Sequence, residues 1–435
     1  MISEPLSGSA PDPVAVHRAN PDAWPFLLHT VGPGARSTCS LLLFADRGTP
    51  AISGAAEELG ALERAWMDAR RPQGGREVFA GGWFVYLGYE TAGVIEPTLS
   101  LPRPRPDLPD LHAQRCRGAL VIDHRPDAAH AARLVGESAG VVADMRDSLE
   151  AASAPDDSAP PVLTIEVDDG ERFEDGVRRI RDYILAGDVF QVNLSRGWRA
   201  RAAEPIDAVA LYRRLAAANP APFAGLARLP GGTLLSSSPE RLVASRGGRV
   251  DVRPIAGTRP RGHSPVQDRA LSDELIAHPK ERAEHVMLID LERNDLGRVC
   301  TPGSVRVDEL MVIESYAHVH HIVSNVTGRL VAGASPVDVI RAVFPGGTIT
   351  GCPKVRCMEI IAELERVGRG VYTGSMGYLG LDGRLDLNIL IRSMWVTDAE
   401  IHFRTGAGIV ADSIPAAELA ETEAKARGLL RALRS

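Results

Sequence analysis

The sequence predicts an α+β fold built on antiparallel sheets, because hairpin signals and helical patterns occur together without a regular strand–helix–strand rhythm. Gly247 and Gly248 separate the strand-like runs LVASR and RVDVRPI, and Asp382 and Gly383 separate GYLGL from RLDLNILI. Such turn residues between short apolar runs favour tight β-hairpins. Other segments have apolar residues at helical spacing, so we expect helices beside the sheets.

Composition narrows the class of protein. The chain has 435 residues, of which 44% are hydrophobic and 24% charged, which is typical of a soluble globular protein with one large domain or two. A net charge of -7 argues against nucleic acid as a partner. Five scattered cysteines without a Cys-x-x-Cys pair favour a reducing compartment over a disulfide framework. No secretory signal or membrane-length apolar run is present, so we expect a cytoplasmic protein without a membrane partner.

A short Ala/Asp/Pro-rich segment divides the chain. Residues 152–161 (ASAPDDSAPP) have the composition of a linker. We therefore predict an N-terminal region over 1–151 and a second domain over 162–435, which contains nearly all the dense polar motifs.

The second domain is predicted to open with a helix and a strand. Residues 171–186 have apolar residues at helical spacing, and Gly187 is suited to end that helix. The segment 190–196 alternates between apolar and polar residues, as a strand with one polar face does. That polar face comprises Gln191, Asn193 and Ser195.

An acidic helix is predicted from Pro279 to Gly297 (PKERAEHVMLIDLERNDLG). Glu281 and Glu284 lie three residues apart and therefore share a face with His285. Carboxylates so placed can share a cation, and oxygen ligands suit Mg²⁺. The alternative is a solvated helix face, since charged residues usually stay exposed.

A second acidic helix is predicted at the C-terminal end, beginning near Ser413 and Pro415. It carries Glu418, Glu421 and Lys425 on one face. Alone, this pattern is more typical of a surface ion-pair ladder. Two acidic faces favour a shared metal, but their spacing does not show whether they meet.

Four further segments could contribute to a site. The loop in FPGGTITGCPKVRCMEIIAELE runs into a helix at Pro353, where backbone N–H groups favour an anion such as a carboxylate or phosphate. Glu240 follows a turn-like Ser-Pro pair, His321 lies in the strand AHVHHIVSNVTG, and Gly406 lies in RTGAGIVADS. The alternatives are structural turns at the loop and at Glu240, a packed histidine, and a β-bulge.

Taken together, these segments resemble the chorismate-utilising enzymes, among them the first components of anthranilate synthase and aminodeoxychorismate synthase, isochorismate synthase and salicylate synthase. The resemblance covers about residues 165–433 and rests on motifs in the family's order: DVFQVNLSR, SSSPERL, RPIAGTRPRG, KERAEHVMLIDLERNDLG, HVHHIVSNVTG, FPGGTITGCPKVRCMEII, RGVYTGSMGY, LNILIRS and GAGIVADS. It implies large antiparallel sheets packed face to face and flanked by helices. It also implies chorismate as substrate and Mg²⁺ as cofactor.

The resemblance also implies roles for individual residues. Glu284 and Glu421 match the magnesium ligands, with Glu281 and Glu418 supporting them. The set expected to bind substrate is Tyr372, Arg392, Gly406, Lys425 and Thr348. Glu240 matches the general acid that protonates the departing ring hydroxyl. His321 is expected near the leaving groups, and Thr258 beside the substrate ring.

Two positions distinguish subfamilies. Members that add water have a lysine base where this chain has Gln191, so ammonia is the expected nucleophile. Many aminodeoxychorismate synthases have a nucleophilic lysine at the position of Ala256. Anthranilate synthases have alanine there, as this chain does. The compact length, the segment Leu27-Leu28-His29-Thr30 in place of Leu-Leu-Glu-Ser, and the forms GGTITG and GSMGY favour aminodeoxychorismate synthase component I.

The source of ammonia is expected to be another protein. No Gly-x-Cys-x-Gly glutaminase segment is present, so a separate glutamine amidotransferase subunit is implied. Two alternatives remain at this stage: anthranilate synthase component I, and a catalytically inactive regulatory paralogue that binds chorismate.

Overall fold

The structure, a computed structural model, describes residues 1–31, 38–72, 77–103, 105–125, 131–150, 161–315 and 319–434. The predicted linker 152–161 lies outside the described residues except for Pro161, so the division of the chain at that point stays a prediction. None of the helices in these ranges is long and apolar enough to cross a membrane. None of the five cysteines, all of them described, forms a disulfide.

Within these ranges the chain forms 21 strands. They are β1 (Ile2–Pro5), β2 (Phe26–His29), β3 (Cys39–Ala45), β4 (Ile52–Gly54), β5 (Gly82–Leu87), β6 (Leu111–Asp123), β7 (Ala132–Gly136), β8 (Leu163–Val167), β9 (Gln191–Ala202), β10 (Phe223–Leu229), β11 (Gly232–Ser238), β12 (Arg241–Arg246), β13 (Arg249–Val252), β14 (Ile255–Pro260), β15 (Arg306–Ser315), β16 (Val319–Arg329), β17 (Gly351–Cys352), β18 (Ser375–Gly380), β19 (Leu385–Asn388), β20 (Ser393–Val396) and β21 (Glu400–Ile409).

The helices of the same ranges are α1 (Pro13–Ala19), α2 (Leu59–Ala69), α3 (Ala92–Ile95), α4 (Ala139–Glu150), α5 (Gly170–Leu185), α6 (Ala208–Ala218), α7 (Pro265–Ala277), α8 (Pro279–Gly297), α9 (Pro336–Val343), α10 (Lys354–Glu365) and α11 (Pro415–Arg434). Short 3₁₀ turns occur at Ala56–Glu58, Tyr89–Thr91 and Gly347–Ile349.

The long strand β6 joins two branches of antiparallel strands. Its first half pairs with β4 and β5, and its second half pairs with β3 and β7. One branch runs from β5 through β18, β19, β12 and β13 to β16, on which β14 and β15 also pair. The other runs from β3 through β2, β10, β11, β20 and β21 to β9, which also pairs with β8 and β17.

The two branches pack against each other through a shared hydrophobic core. Phe26 of β2 stacks on Phe84 of β5, with ring centroids 3.9 Å apart. Tyr378 of β18 and Trp395 of β20 belong to the same buried cluster. Helices lie outside the sheets: α5 and α10 contact β9, α11 contacts β21, and α7 and α8 contact β14 and β16. The predicted α+β class with face-to-face antiparallel sheets is therefore confirmed.

The elements that carry the predicted motifs are also present. The acidic helix α8 has the predicted bounds, Pro279–Gly297. The hairpin between β12 and β13 turns at Gly247 and Gly248, whose φ angles are 61° and 75°, and the hairpin between β18 and β19 turns at Gly383 with φ 80°. Positive φ angles of this kind are available to glycine at little cost, which is why these residues mark the turns.

Candidate active site

Glu240 occupies the short link between β11 and β12 and is 6% exposed. The Thr348 hydroxyl, in the turn Gly347–Ile349, donates a 2.7 Å hydrogen bond to Glu240 Oε1. Burial raises the pKa of Glu240 to about 7, although the Thr348 hydrogen bond and the charges of Lys425 and Arg392 act in the opposite direction. A carboxyl group in this state can carry a proton at neutral pH and release it, as a general acid must.

Arg392 brings a positive charge to the same place. Its backbone adopts φ 53°, an uncommon conformation for a residue with a side chain, at the end of a segment between β19 and β20. Burial lowers the pKa of Arg392, and the charge of Glu240 opposes that shift. Its guanidinium makes no hydrogen bond or ion pair with the described residues, so its fork is available to an anionic ligand.

His321 and Thr258 face each other across the pairing of β14 with β16. Thr258 Oγ1 and His321 Nδ1 are 3.0 Å apart. Burial and the neighbouring Arg392 lower the pKa of His321 to about 4, so the ring is neutral at pH 7. Ala256 is buried on β14, and a bulge at Gly257 with φ 70° separates it from Thr258.

The carboxylates of α8 lie beside the polar face of β9. Gln191 Nε2 donates a 2.9 Å hydrogen bond to Glu284 Oε1, and Glu281 forms a 3.1 Å ion pair with Arg259. Burial raises the pKa of Glu284, and the negative charges of Glu281 and Glu421 raise it further.

The acidic face of α11 lies near the carboxylates of α8. Burial raises the pKa of Glu418, and the charge of Glu421 adds to the shift. Lys425 Nζ contacts Glu421 Oε1 at 2.7 Å and the Gly406 carbonyl oxygen at 2.9 Å. The two acidic helices, which lie far apart in sequence, thus face one site, and Lys425 connects it electrostatically to Glu240.

The carboxylates of α8 and α11 could supply some, but not all, of the ligands of a bound cation. Among the described residues, no group of three or more His, Cys, Asp or Glu side chains converges closely enough to hold a metal by itself. Burial raises the pKa values of Glu284 and Glu418, and the charges of neighbouring carboxylates add to both shifts; a bound cation would relieve that repulsion. Two protein carboxylates completed by ligand oxygens and water would be an ordinary Mg²⁺ site.

Glycines on β21 allow close approach of the neighbouring side chains. A Cβ atom at Gly406 would lie 2.5 Å from the Tyr372 hydroxyl and 2.7 Å from the Leu194 carbonyl oxygen. The Tyr372 hydroxyl in turn donates to Asn193 Oδ1 at 3.4 Å. A Cβ atom at Gly408 would lie 2.4 Å from Gln191 Nε2. Tyr372 and Gly406 therefore adjoin, as expected of residues that bind one ligand.

The structure brings the predicted site residues into two linked groups. The first links Glu240 to Thr348 and Arg392, and through Arg392 to His321 and Thr258, with Ala256 two residues before Thr258 on β14. The second links Glu284 to Gln191, Glu281 and Glu421, and through Glu421 to Glu418 and to Lys425, which contacts Gly406 beside Tyr372. Sequence reasoning assigned no role to three residues that border these groups: Asn193 accepts from Tyr372, Arg369 donates to the Ile349 carbonyl oxygen, and Glu292 accepts from the Gly347 backbone. Their positions in the sequence could have identified them, since all three lie inside motifs on which the resemblance rests.

Known proteins are similar to this chain in sequence and in fold. Anthranilate synthase component 1 of Streptomyces coelicolor is 42% identical over 438 residues, covering 95% of this chain and 84% of that protein. Aminodeoxychorismate synthase component 1 of Bacillus subtilis is 43% identical over 368 residues, covering 82% and 77%. The crystal structure of anthranilate synthase component I from Streptococcus pneumoniae superposes with a TM-score of 0.78 at 30% identity, covering 92% and 93%.

The family model for chorismate binding enzymes matches residues 38–431, which is most of the chain. Together with relatives above 40% identity over more than four fifths of the chain, this match is decisive for the family. The chain is an enzyme that belongs to the chorismate binding enzyme family.

Proposed function

We propose that the chain catalyses the Mg²⁺-dependent amination of chorismate, with ammonia supplied by a separate glutamine amidotransferase subunit. The observation that carries the proposal is Glu240, a buried carboxyl group with a pKa of about 7 beside the Thr348 hydroxyl and the charges of Lys425 and Arg392. A proton donor next to cationic groups suits the loss of a hydroxyl group from a substrate with two carboxylates.

Two sets of residues would bind the substrate and the cation. Arg392, Tyr372, the Gly406 backbone and Lys425 would hold one substrate carboxylate. Glu284 and Glu421 would hold Mg²⁺, with Glu281 and Glu418 beside them, and the cation would bind and neutralise the carboxylate on the ring. The neutral His321 and Thr258 would border the departing hydroxyl. Glu240 would give that hydroxyl its proton, so that it leaves as water.

The nucleophile is proposed to be ammonia. Gln191 has no basic group with which to activate water, whereas ammonia attacks without prior deprotonation. The amide nitrogen of Gln191 is bound to Glu284, and its buried Oε1 has no hydrogen-bond partner among the described residues. That oxygen could accept an N–H hydrogen bond from ammonia and so orient it in the site.

An aminating reaction requires a source of ammonia, which we propose is a partner protein. Two relatives named "component 1" are 42% and 43% identical to this chain over the aligned residues, and that name implies a second component. We propose that this component is a glutaminase that releases ammonia for use at the site. The purified chain should then be inactive with glutamine alone and active with an ammonium salt at alkaline pH.

We propose that the amino group ends at ring carbon four, giving 4-amino-4-deoxychorismate for p-aminobenzoate and folate synthesis. Supporting features are the GGTITG and GSMGY forms and the segment Leu27-Leu28-His29-Thr30. His29 Nδ1 lies 2.9 Å from the Tyr212 hydroxyl, and burial lowers the pKa of His29 to about 4. The anthranilate motif places a glutamate where this neutral histidine lies.

One observation favours amination at carbon two with loss of pyruvate, which gives anthranilate. Ala256 cannot form a covalent bond to the substrate, so carbon four would have to be aminated without an enzyme-bound intermediate. Geometry would then select the carbon that is attacked. Several similar proteins, including that of Streptomyces coelicolor, are named anthranilate synthases.

Product analysis separates these possibilities. The chain is incubated with chorismate, MgCl₂ and ammonium salt at alkaline pH, with and without an aminodeoxychorismate lyase. We expect no fluorescent anthranilate, and p-aminobenzoate only when the lyase is present. Anthranilate and pyruvate without the lyase would assign the chain to tryptophan synthesis. No Mg²⁺-dependent consumption of chorismate would identify an inactive regulatory paralogue and refute the proposal.

A further inference from the structure

A buried ion pair lies behind Tyr372. Arg369 and Glu365 side chains are each 1% exposed, and Arg369 Nη2 and Nε contact the two Glu365 oxygens at 2.6 and 3.1 Å. The Ser195 hydroxyl and Arg404 also donate to Glu365, which completes its hydrogen bonding. Such a two-point pair fixes the plane of the guanidinium, which a single contact would leave free to rotate.

The remaining donors of Arg369 reach the backbone of two segments that border the candidate site. Nη2 donates to the Asn193 carbonyl oxygen at 2.8 Å, two residues from Gln191 on β9. Nη1 donates to the Ile349 carbonyl oxygen at 3.2 Å, in the turn that carries Thr348. One rigid group therefore sets the spacing between β9 and this turn.

The same guanidinium lies against the ring of Tyr372. Its central carbon is 5.4 Å from the Tyr372 ring centroid and 5.0 Å from that of Tyr89. Both distances fall within the range of cation–π attraction. The backbone of Arg369 is held as well, because its N–H donates to Glu90 at 2.7 Å. The Tyr372 ring therefore rests on a side chain that is fixed at both ends.

We infer that Arg369 is a positioning residue for the reaction, holding Tyr372, Asn193 and the Thr348 turn in the arrangement that the substrate meets. The assignment of those three segments to substrate binding rests on the proposed function. Arg369 itself has no place in the substrate-contacting set. Lysine cannot replace it, because one ammonium group cannot form the two-point pair and reach both carbonyl groups.

The test compares Arg369→Lys with a matched control, Arg115→Lys. Arg115 also pairs with a glutamate, Glu137, donates to the Gly82 carbonyl oxygen at 3.0 Å and lies 5.2 Å from the Trp83 ring centroid. Displacing site groups by about 1 Å can cost about 10²-fold in rate, so we expect Arg369→Lys to lower kcat/KM for chorismate on that scale. Both KM and kcat should change, because binding and proton donation share the displaced segments.

The control should lose similar thermal stability yet keep its KM and kcat. Equal effects of the two substitutions on kcat/KM would overturn the inference. If Arg369→Lys does not fold, Glu365→Gln takes its place, since it keeps the shape of the partner and removes its charge. A normal kcat/KM in a folded Glu365→Gln protein would also count against positioning by this pair.

Chemical rescue gives a further readout. A cavity of about 950 Å³ is lined by Arg369, Glu365, Arg404 and Tyr372, so a small cation can approach the vacated position in Arg369→Ala. Millimolar guanidinium should restore part of its activity and should not affect Arg115→Ala. Absence of rescue in a folded Arg369→Ala protein would contradict a local positioning role.

Crystal structures of the wild type and Arg369→Lys separate failure of this inference from failure of the proposed function. We expect the Tyr372 hydroxyl to move away from Asn193 Oδ1 and the Gly347–Ile349 turn to shift. Unchanged positions would refute the inference, whatever the activity. The same shift in a chain that does not aminate chorismate would support the inference and refute the proposed function.

Discussion

At the scale of single residues, Glu240, the proposed proton donor, and its neighbours set the chemistry expected of the site. Glu240 is buried, yet two cations and a hydroxyl group keep its pKa near neutrality. His321 is buried without a pKa suited to proton transfer at pH 7, because its pKa is about 4. The proton for a departing hydroxyl is therefore expected from Glu240, and His321 is expected to act as a neutral hydrogen-bonding group.

Glu240→Gln should lower kcat by about 10²–10⁴-fold, the usual contribution of a general acid, with little change in chorismate affinity. Glutamine keeps the size of the side chain and an oxygen that accepts the Thr348 hydrogen bond, so the fold should persist. Steady-state kinetics and calorimetric binding of chorismate check both halves of the prediction. A kcat within a few-fold of the wild type would exclude the role.

The pH dependence of kcat/KM follows from the pKa of about 7 for Glu240 in the ligand-free protein. A general acid works only while protonated, so kcat/KM for chorismate should fall as pH rises through about 7 when the concentration of free ammonia is held constant. Glu240→Gln should lack this fall, since it removes the titrating group. A wild-type profile that rises across that range at constant free ammonia would be inconsistent with Glu240 as the acid.

At the scale of elements, α8 and α11 face each other through like charges. Glu284 on α8 and Glu418 on α11 both have raised pKa values, to which Glu421 contributes. The sequence predicted an acidic face on each helix. In the structure, α11 packs on β21, and β21 pairs with β9, whose polar face contacts α8 through Gln191.

Mg²⁺ should therefore raise the Tm of the wild-type chain, because a cation offsets repulsion between carboxylates of the two helices and binds the folded state alone. The double variant Glu284→Gln/Glu421→Gln should lose that Mg²⁺-dependent shift and all turnover. Its Tm without Mg²⁺ should match or exceed that of the wild type, since one source of repulsion is gone. Differential scanning fluorimetry over a Mg²⁺ series measures both effects, and an unchanged shift in the variant would exclude these ligands.

Gly406→Ala tests the close approach of β21 to Tyr372. The added methyl group would meet the Tyr372 hydroxyl at 2.5 Å and the Leu194 carbonyl oxygen at 2.7 Å, and a backbone oxygen cannot move aside easily. We expect a loss of about 1–3 kcal/mol in the free energy of unfolding and a raised KM for chorismate. Gly297→Ala is the matched control, because nothing lies within 4 Å of its added Cβ atom. Equal KM values for the two variants would contradict the prediction.

At the scale of the whole molecule, the N-terminal strands complete the sheets that carry the site. Strand β5 pairs with β18 and β2 pairs with β10, so residues before position 151 share sheets and core with those after position 161. Glu90 extends this connection, since it accepts hydrogen bonds from the backbone N–H groups of Arg369 and Gly370. Burial raises the pKa of Glu90 to about 7.

Glu90→Gln should change how stability depends on pH. A carboxyl group with a raised pKa in the folded state stabilises that state at low pH and loses this contribution as pH rises from its unfolded value to about 7. The loss for Glu90 is about 3 kcal/mol at 1.4 kcal/mol per pKa unit. Urea unfolding at pH 5 and pH 7.5 should show this decrease in the wild type and a smaller one in the variant. Parallel decreases in both proteins would refute it.

The sequence by itself determined the class of fold, the acidic helices, the hairpins and the family, because each depends on local spacing or on motifs in a fixed order. Helix α8 follows from Pro279, Gly297 and the apolar spacing between them, and the β12–β13 turn follows from two adjacent glycines. The roles of candidate residues such as Glu240 and Arg392 came from the resemblance. Their environments could not be deduced in the same way.

Only the tertiary structure decided which of these residues meet and what charge they carry. The pKa of Glu240 depends on burial by chain segments about 100 residues away and on Lys425, 185 residues later in sequence, and no local pattern encodes such contacts. The same holds for Arg369, whose donors reach Asn193 and Ile349 from a turn after α10. Electrostatics and side-chain packing act through space, so they become visible only when the sheets have brought distant segments together.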